Sequence, residues 1–394
     1  MTKNILDVEE FSNNPHTYFD KYRQSSPLIE LSDGRIVLIR ANDVFKFLKS
    51  ATLKQEDEFS LSALSGRMPS FYRFIKHGML YSNGKIHRKR RELWGKFGRL
   101  KLKSNNLDIL EPQYSALLVD YSRDGRKSSC FVSEVCQRVA EISVSTFFGI
   151  DPLFLQSVRE KIIMAGTAIP LLFSEEDAVD IEEAFSNLYR LADEFEFDVD
   201  KLRLNTKHVA KLYTEISIEE IRADILLLLI AGINTTRNAV TKAFQLTLSS
   251  PVVWAKLSKL NSLGLNNVIF ETLRFDSAVG AVPRVASESI SVGPKVINSK
   301  DKIILSISAA LQDPSLFPNP KCFLPDRNNV KEANARFGAG PHRCIGQPMA
   351  MNTISNVLRA ASLLYPNSKL KQEPTEHSVF GGLRRISKLE VSLI

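Results

Sequence analysis

The chain has 394 residues, 44% hydrophobic and 24% charged, a balance that suits a soluble globular protein with a substantial core. Its formal charge is +8 and its pI about 9.2, but the basic residues scatter, and the one local cluster, "HRKRR" at 87–91, does not by itself indicate a nucleic-acid partner. No Gly/Ser/Pro-rich linker, repeat or low-complexity tract lies between residues 20 and 390, so a single domain over residues 1–394 is expected.

The N-terminal stretch "MTKNILDVEEFSNNPHTYFD" has neither the apolar core of a signal peptide nor a bilayer-length span. The expectation is a cytoplasmic protein with no membrane span. "PLIEL" and "RIVLIR" flank the turn "SDG" and read as a β-hairpin, followed by a helix through "NDVFKFLKS". Beyond a charged and aromatic region at 54–82, helical patterns cover roughly 86–100, 106–122, 130–148, 152–164 and 176–198. Ser217 and Glu220 form a capping-box signature, and no proline follows until Pro251. That predicts a central helix of about 30 residues, about 45 Å long. Strand-like segments return at "SISV" and "KIILSISAA". The fold class is mainly α with small β-sheets.

Within the central helix, "LLLLIAGINTTRN" runs from Leu226 to Asn238. The apolar positions from Ile225 to Ile233 leave no polar face, so this part should be enclosed by protein on all sides. Gly232, Asn234 and Thr235 are all poor helix formers. Two readings compete. Either the threonines bond back to the preceding turn and Gly232 permits close helix packing, or the small residues make room for a flat cofactor that a hydroxyl faces.

Cys130, Cys136, Cys322 and Cys344 show no zinc-like pairing and no disulfide framework. Cys344 lies in "FGAGPHRCIGQPMA" (337–350), where Gly338, Gly340 and Pro341 make a rigid loop and a helix begins just beyond the cysteine. A helix N-terminus supplies a positive dipole end and free backbone N–H groups, both of which favour thiolate, and a thiolate can ligate a metal.

These residues resemble the cytochrome P-450 family, whose heme-binding signature F-G-x-G-x-H-x-C-x-G is met by Phe337, Gly338, Gly340, His342, Cys344 and Gly346. Further motifs follow in register over nearly the whole chain. "ETLR" supplies Glu271 and Arg274, "FLPDR" supplies Arg327, "QDPSLFPNPKCF" is the turn-rich approach to the cysteine loop, and His87 with Arg91 match H-x-x-x-R. Arg284 in "VPRVA" matches a propionate-binding position. The resemblance implies the P-450 fold, with heme b held between the long central helix and the cysteine-loop helix. It makes Cys344 the axial thiolate ligand of iron, where thiolate donation favours O–O cleavage. His87, Arg91, Arg284 and His342 would meet the heme propionates, Phe337 the sulfur side, and Glu271, Arg274 and Arg327 an ion network under the loop.

By the same resemblance Ala231 and Gly232 leave space for dioxygen, and Thr235 aligns with the oxygen-activating threonine. The usual acid before that threonine is replaced by Asn234, which can position water but cannot ionise. The expected activity is therefore monooxygenation of a lipophilic small molecule, a biosynthetic intermediate of secondary metabolism. The alternatives are atypical oxidation (coupling, cyclisation, desaturation or peroxide use) and a non-enzymatic heme-thiolate sensor or carrier. Phe71, Phe74, Leu80, Val279, Val282 and Phe380 fall where the family lines its substrate chamber. Electrons would come from a ferredoxin or flavodoxin with its reductase, docking on basic residues near Arg336, Arg343 and the 85–91 helix. A monomer is expected. Lys85, Arg88, Lys89 and Arg90 read as a basic surface patch, and nucleic-acid binding is not expected, because His87 and Arg91 are better used on heme.

Overall fold

The computed structural model describes the chain except residues 1–4, 14, 57–60, 104–109, 124–129, 170–175, 195–214, 330–333, 373–374 and 378–384. The "SDG" turn closes as expected. Gly34 takes φ +84°, and β2 (Leu28–Leu31) lies antiparallel to β3 (Ile36–Leu38) with Leu28 opposite Leu38. These strands belong to a six-stranded sheet that also holds β1 (Ile5–Leu6), β4 (Leu53–Lys54), β5 (Ala281–Ala286) and β8 (Lys302–Ser306), in the order β1-β2-β3-β8-β5-β4. Strand β5 is antiparallel to β8, with Val282 opposite Leu305 and Arg284 opposite Ile303. A separate hairpin pairs β6 (Ile290–Val292) with β7 (Lys295–Ile297).

Nine helices position the site: α1 (Pro69–His77), α2 (Gly84–Lys103), α3 (Leu110–Arg123), α4 (Gln137–Phe148), α5 (Arg159–Ala168), α6 (Asp177–Glu194), α7 (Ile218–Leu248), α8 (Ser262–Phe275) and α9 (Gln347–Leu364). Two expectations need correction. The single helix over 152–164 is two, because Val158 leaves helical geometry at φ −107° and ψ 8° and α5 starts afresh beyond it. "KIILSISAA" is a strand only as far as Ser306, whose hydroxyl accepts the N–H of Ala309 at 3.2 Å and caps a short helix, Ile307–Leu311. The aromatic region before residue 82 contains α1, which opens on Pro69, a residue suited to the first helical turn.

The central helix α7 has the expected length and its expected start. Ser217 Oγ accepts the N–H of Glu220 at 3.2 Å, while the Glu220 carboxylate accepts the N–H of Ser217 at 2.8 Å. Two clusters of buried side chains flank it. One joins α1, α2, α5 and α6 to the N-terminal half of α7, and the other joins α3, α8 and α9 to its C-terminal half. The expectation that Ile225–Ile233 is enclosed all round fails at particular places. Leu228, Ala231, Gly232 and Thr235 keep accessible surface among otherwise buried neighbours. Their spacing of i, i+3, i+4 and i+7 makes one stripe, so α7 has an open face in the middle of the core. Among the described residues no helix is long and apolar enough to cross a membrane.

Candidate active site

The cysteine loop is shaped by two glycines. Gly338 and Gly340 take φ +69° and +67°, a backbone region that side-chain-bearing residues avoid, and a Cβ on Gly340 would lie 2.7 Å from the carbonyl oxygen of Leu48. The loop closes where the N–H of Cys344 donates to the carbonyl of Phe337 at 2.7 Å, and α9 starts at Gln347. The Phe337 ring packs on the cluster of α3, α8 and α9. Cys344 retains accessible surface, yet burial is the largest influence on its thiol. Both facts hold if the surface faces an interior hollow instead of open water. Leu80, Leu228, Ala231 and Ile345 all edge the same apolar cluster, and a Cβ on Gly232 would lie 3.9 Å from Met349 Cε near the start of α9, so the open stripe of α7 and the helix that follows the cysteine loop are neighbours. The backbone N–H groups of Gly346 and Gln347 and the charge of Arg91 pull the thiol pKa down, but burial outweighs them and the net shift is upward. The helix-start donors expected to favour thiolate are therefore present and pull in that direction, with burial opposing them.

On the other side of the loop four nitrogenous side chains converge. The rings of His87 and His342 stack at 4.0 Å, and burial together with Arg91 and Arg284 pushes the two imidazoles down to about 4 and about 3, so both are neutral at pH 7. Arg284 is buried and donates to its neighbour Pro283's carbonyl at 2.6 Å, and burial lowers it to about 10. Arg91 donates to the carbonyl of Arg343. No ion pair joins any of the four to a carboxylate among the described residues. Such a cluster of buried cations and hydrogen-bonding rings suits anionic groups.

Glu271 and Arg274 make the expected pair, fully buried, with contacts of 2.7 and 2.9 Å. Arg327 joins them at 3.4 Å, and Glu271 also accepts the N–H of Leu324 at 2.9 Å, which ties the approach to the cysteine loop onto α8. The guanidinium of Arg336 lies 4.0 Å over the Phe270 ring.

Other sequence expectations are redistributed. Phe71 and Phe74 are fully buried and pack on Phe185 at 5.0 and 4.7 Å, so they are core residues of the α1–α6 contact and not chamber lining. Leu80, Val279 and Val282 retain accessible surface, while Phe380 lies outside the described residues. Gly232 serves both competing readings, since it belongs to the open stripe and a Cβ there would come within 3.2 Å of Val144 Cγ2 on α4. Thr235 bonds back to Ala231 O at 2.7 Å while remaining on the stripe, and its lone pairs stay available to the hollow. Asn234 turns away from it and is buried.

Arg90 is not a surface residue. It is 2% exposed and is held by the fully buried Asp224 of α7, whose carboxylate accepts from Arg90 Nε, Trp94 Nε1 and Met79 N at 2.8 Å each. Lys89 pairs with Glu215 at 2.8 Å, leaving Lys85 and Arg88 as the exposed members of the basic run. Sequence reading missed this triad, although an aspartate one residue before an apolar run was a signal for it.

Comparison with known proteins decides the family. The cytochrome P450 family model matches residues 263–376, the part holding the Glu271 network and the cysteine loop. Cytochrome P450-pinF1, plant-inducible, of Rhizobium radiobacter is 24% identical over 98% of this chain and 92% of its own length. The biotin biosynthesis cytochrome P450 of Bacillus subtilis is 24% identical over 97% of both chains. A solved structure of P450BioI in complex with hexadec-9Z-enoic acid ligated acyl carrier protein superposes with a TM-score of 0.86 at 21% identity, covering 98% of this chain and 100% of that one. This chain belongs to the cytochrome P450 family. It has the P450 fold, and it is a P450 monooxygenase.

Membership implies a heme iron cofactor, and the donor set fits one. The Cys344 sulfur has backbone N–H groups of Gly346 and Gln347 beside it that favour the thiolate form. Two arginines and two neutral imidazoles, with no ion-paired carboxylate among the described residues, suit two carboxylates. The open stripe of α7 offers small side chains to a flat ring.

Proposed function

We propose that this P450 binds heme b and oxidises a lipophilic small molecule, a biosynthetic intermediate, by monooxygenation. Cys344 would ligate the iron, His87, Arg91, Arg284 and His342 would hold the propionates, and Ala231, Gly232 and Thr235 would make room for dioxygen. The observation that carries this reading is the open stripe Leu228–Ala231–Gly232–Thr235, which places one hydroxyl in an otherwise apolar face bordering the cysteine loop. Bound heme supplies the activation of dioxygen. The chain's part is to exclude water with Leu80, Val279 and Val282, to bury the carboxylates among cations, and to hold a proton-bearing water at Thr235 Oγ1. The apolar lining supports a lipophilic substrate, and the name of the B. subtilis relative supports a biosynthetic role.

Thr235→Val tests the assignment, because it keeps the side chain's shape and removes only the hydroxyl. Product formed per reductant consumed should fall by about tenfold or more, the low side of what a positioned proton-transfer group contributes, while the unfolding midpoint stays close to that of the native protein. Unchanged product yield would refute the role. A screen of lipophilic compounds for a shift of the heme absorption band would identify the substrate class.

An electron donor of the ferredoxin or flavodoxin type would dock near the exposed Arg343, whose Nη2 donates to Gln347 Oε1 at 2.9 Å. In Arg343→Glu the rate of reduction at low ionic strength should fall by about tenfold, with the difference shrinking as salt is added. A rate insensitive to both changes would place the donor elsewhere.

A further inference from the structure

Asn234 is the immediate neighbour of Thr235, yet its side chain leaves the open stripe and is 1% exposed. Its Nδ2 donates to two backbone carbonyls, Ile162 O on α5 and Ile230 O on α7, at 2.9 Å each. The two carbonyls fix which way the amide points, since the flipped orientation would set oxygen against both. Each carbonyl already serves its own helix's ladder and offers Asn234 its second lone pair.

Gly166, one helical turn beyond Ile162, is what lets the side chain reach α5. A Cβ at Gly166 would stand 2.5 Å from Asn234 Nδ2 and 2.7 Å from its Cγ, so no larger residue shares that space with the amide in its present place. The far end of α5 is held in a similar way. The Tyr81 hydroxyl donates to Ile169 O at 2.9 Å, seven residues beyond Ile162 and so about 10 Å along a helix. The turn that carries Tyr81 is itself tied to α7, because Met79 N donates to Asp224 at 2.8 Å. Helix α5 is therefore registered against α7 at both ends by side chains bonded to its carbonyls.

We propose that Asn234 is a positioning residue that clamps α5 onto α7 beside Thr235, with Gly166 as its socket, and that its side chain carries no proton to the reaction. The second half rests on the monooxygenase reading above, whereas the clamp does not. An aspartate cannot replace this amide. Ionised, it has acceptors only, and lone pairs would face the lone pairs of both carbonyls. The missing acid at this position is thus a consequence of what the side chain holds, and the atypical chemistries that its absence suggests gain no support from it.

The test uses the heme-loaded full chain and four variants: Asn234→Asp, Asn234→Ala, Gly166→Ala and the double variant G166A/N234A. Amide hydrogen exchange within residues 159–168, the unfolding midpoint and product per reductant are read for each. Each single variant should speed exchange in α5 by about tenfold or more, as expected when a bond to a buried carbonyl is lost. The double variant should recover part of the Gly166→Ala defect, because the new methyl enters the space the amide has left. Asn234→Asp should show a pH signature. Its folded-state pKa is raised by the two carbonyls, so its stability is present at low pH, where the protonated acid regains one donor, and is lost as pH rises through that pKa. At neutral pH its product per reductant should fall.

The proposal is overturned if Asn234→Asp leaves α5 exchange unchanged and raises product per reductant, or if the two alanine substitutions add without recovery. If the exchange and stability results come out as expected while the native chain turns over no substrate, the clamp is supported and the monooxygenase reading alone fails.

Discussion

Cys344→Ser is expected to give a protein that folds and has lost product formation to background. The change replaces one sulfur by oxygen, and the loop around it does not depend on that atom. Its closure comes from the Cys344 N–H on the Phe337 carbonyl, from the two left-handed glycines, and from the Glu271 network beneath the approach. The apoprotein's stability should therefore change by less than about 1 kcal/mol. The cluster of His87, Arg91, Arg284 and His342 proposed to hold carboxylates is untouched, so heme should still associate, but without the soft, electron-donating ligand that suits O–O cleavage. The absorption band of the reduced carbon monoxide complex reports that ligand directly. In Cys344→Ser the thiolate-type band should be gone, whereas in Arg91→Met it should persist while heme is lost faster. A serine variant that keeps the thiolate-type band would place the axial ligand on another residue.

How much of this was legible in the sequence depended on how locally the chemistry is written. The cysteine loop is contiguous, and its glycines, histidine and cysteine are needed at fixed spacing because one tight turn presents them all, so Phe337 to Gly346 could be read directly. The Glu271–Arg274 pair is likewise one helical turn. Arg90 was illegible in the same way that Arg91 was legible: both sit in "HRKRR", and only the packing of α2 against α7 shows that one is buried on an aspartate 134 residues away. Phe71 and Phe74 have the composition of a binding pocket, but α1 turns both rings onto Phe185. Asn234 was read for its chemistry, which the substitution does change. Its position is set by Gly166 and Ile162, and no local pattern points from "AGINTT" to them.

The buried triad leads to a large expected stability effect. Asp224 is fully buried, and burial raises its carboxyl pKa despite Arg90, Trp94 and Met79 N, which all pull it down. Asp224→Leu would leave the Arg90 guanidinium with the more distant Glu220 carboxylate at 3.6 Å and two backbone carbonyls, and would strand the N–H donors of Trp94 and Met79. Arg90→Met would leave a buried carboxylate without its cation, so each should cost about 3–5 kcal/mol in denaturant unfolding. The Arg90→Met loss should shrink on acidification, because a carboxyl whose folded pKa is raised regains stability as it protonates below that pKa. Combining the two changes should restore most of the stability, since an apolar pair of similar volume avoids both desolvation costs. Stability is not the whole consequence. Arg90 lies between His87 and Arg91 on α2, while Asp224 lies four residues, about one helical turn, before Leu228, the first residue of the open stripe of α7. The triad therefore sets the spacing between the residues proposed to hold carboxylates and the residues proposed to handle oxygen. In the double variant, stability should return while heme retention and product per reductant stay below the native values, because an apolar contact fills the volume without fixing the register that directed hydrogen bonds impose. A double variant equal to the native chain in all three would show that packing alone positions α2 on α7.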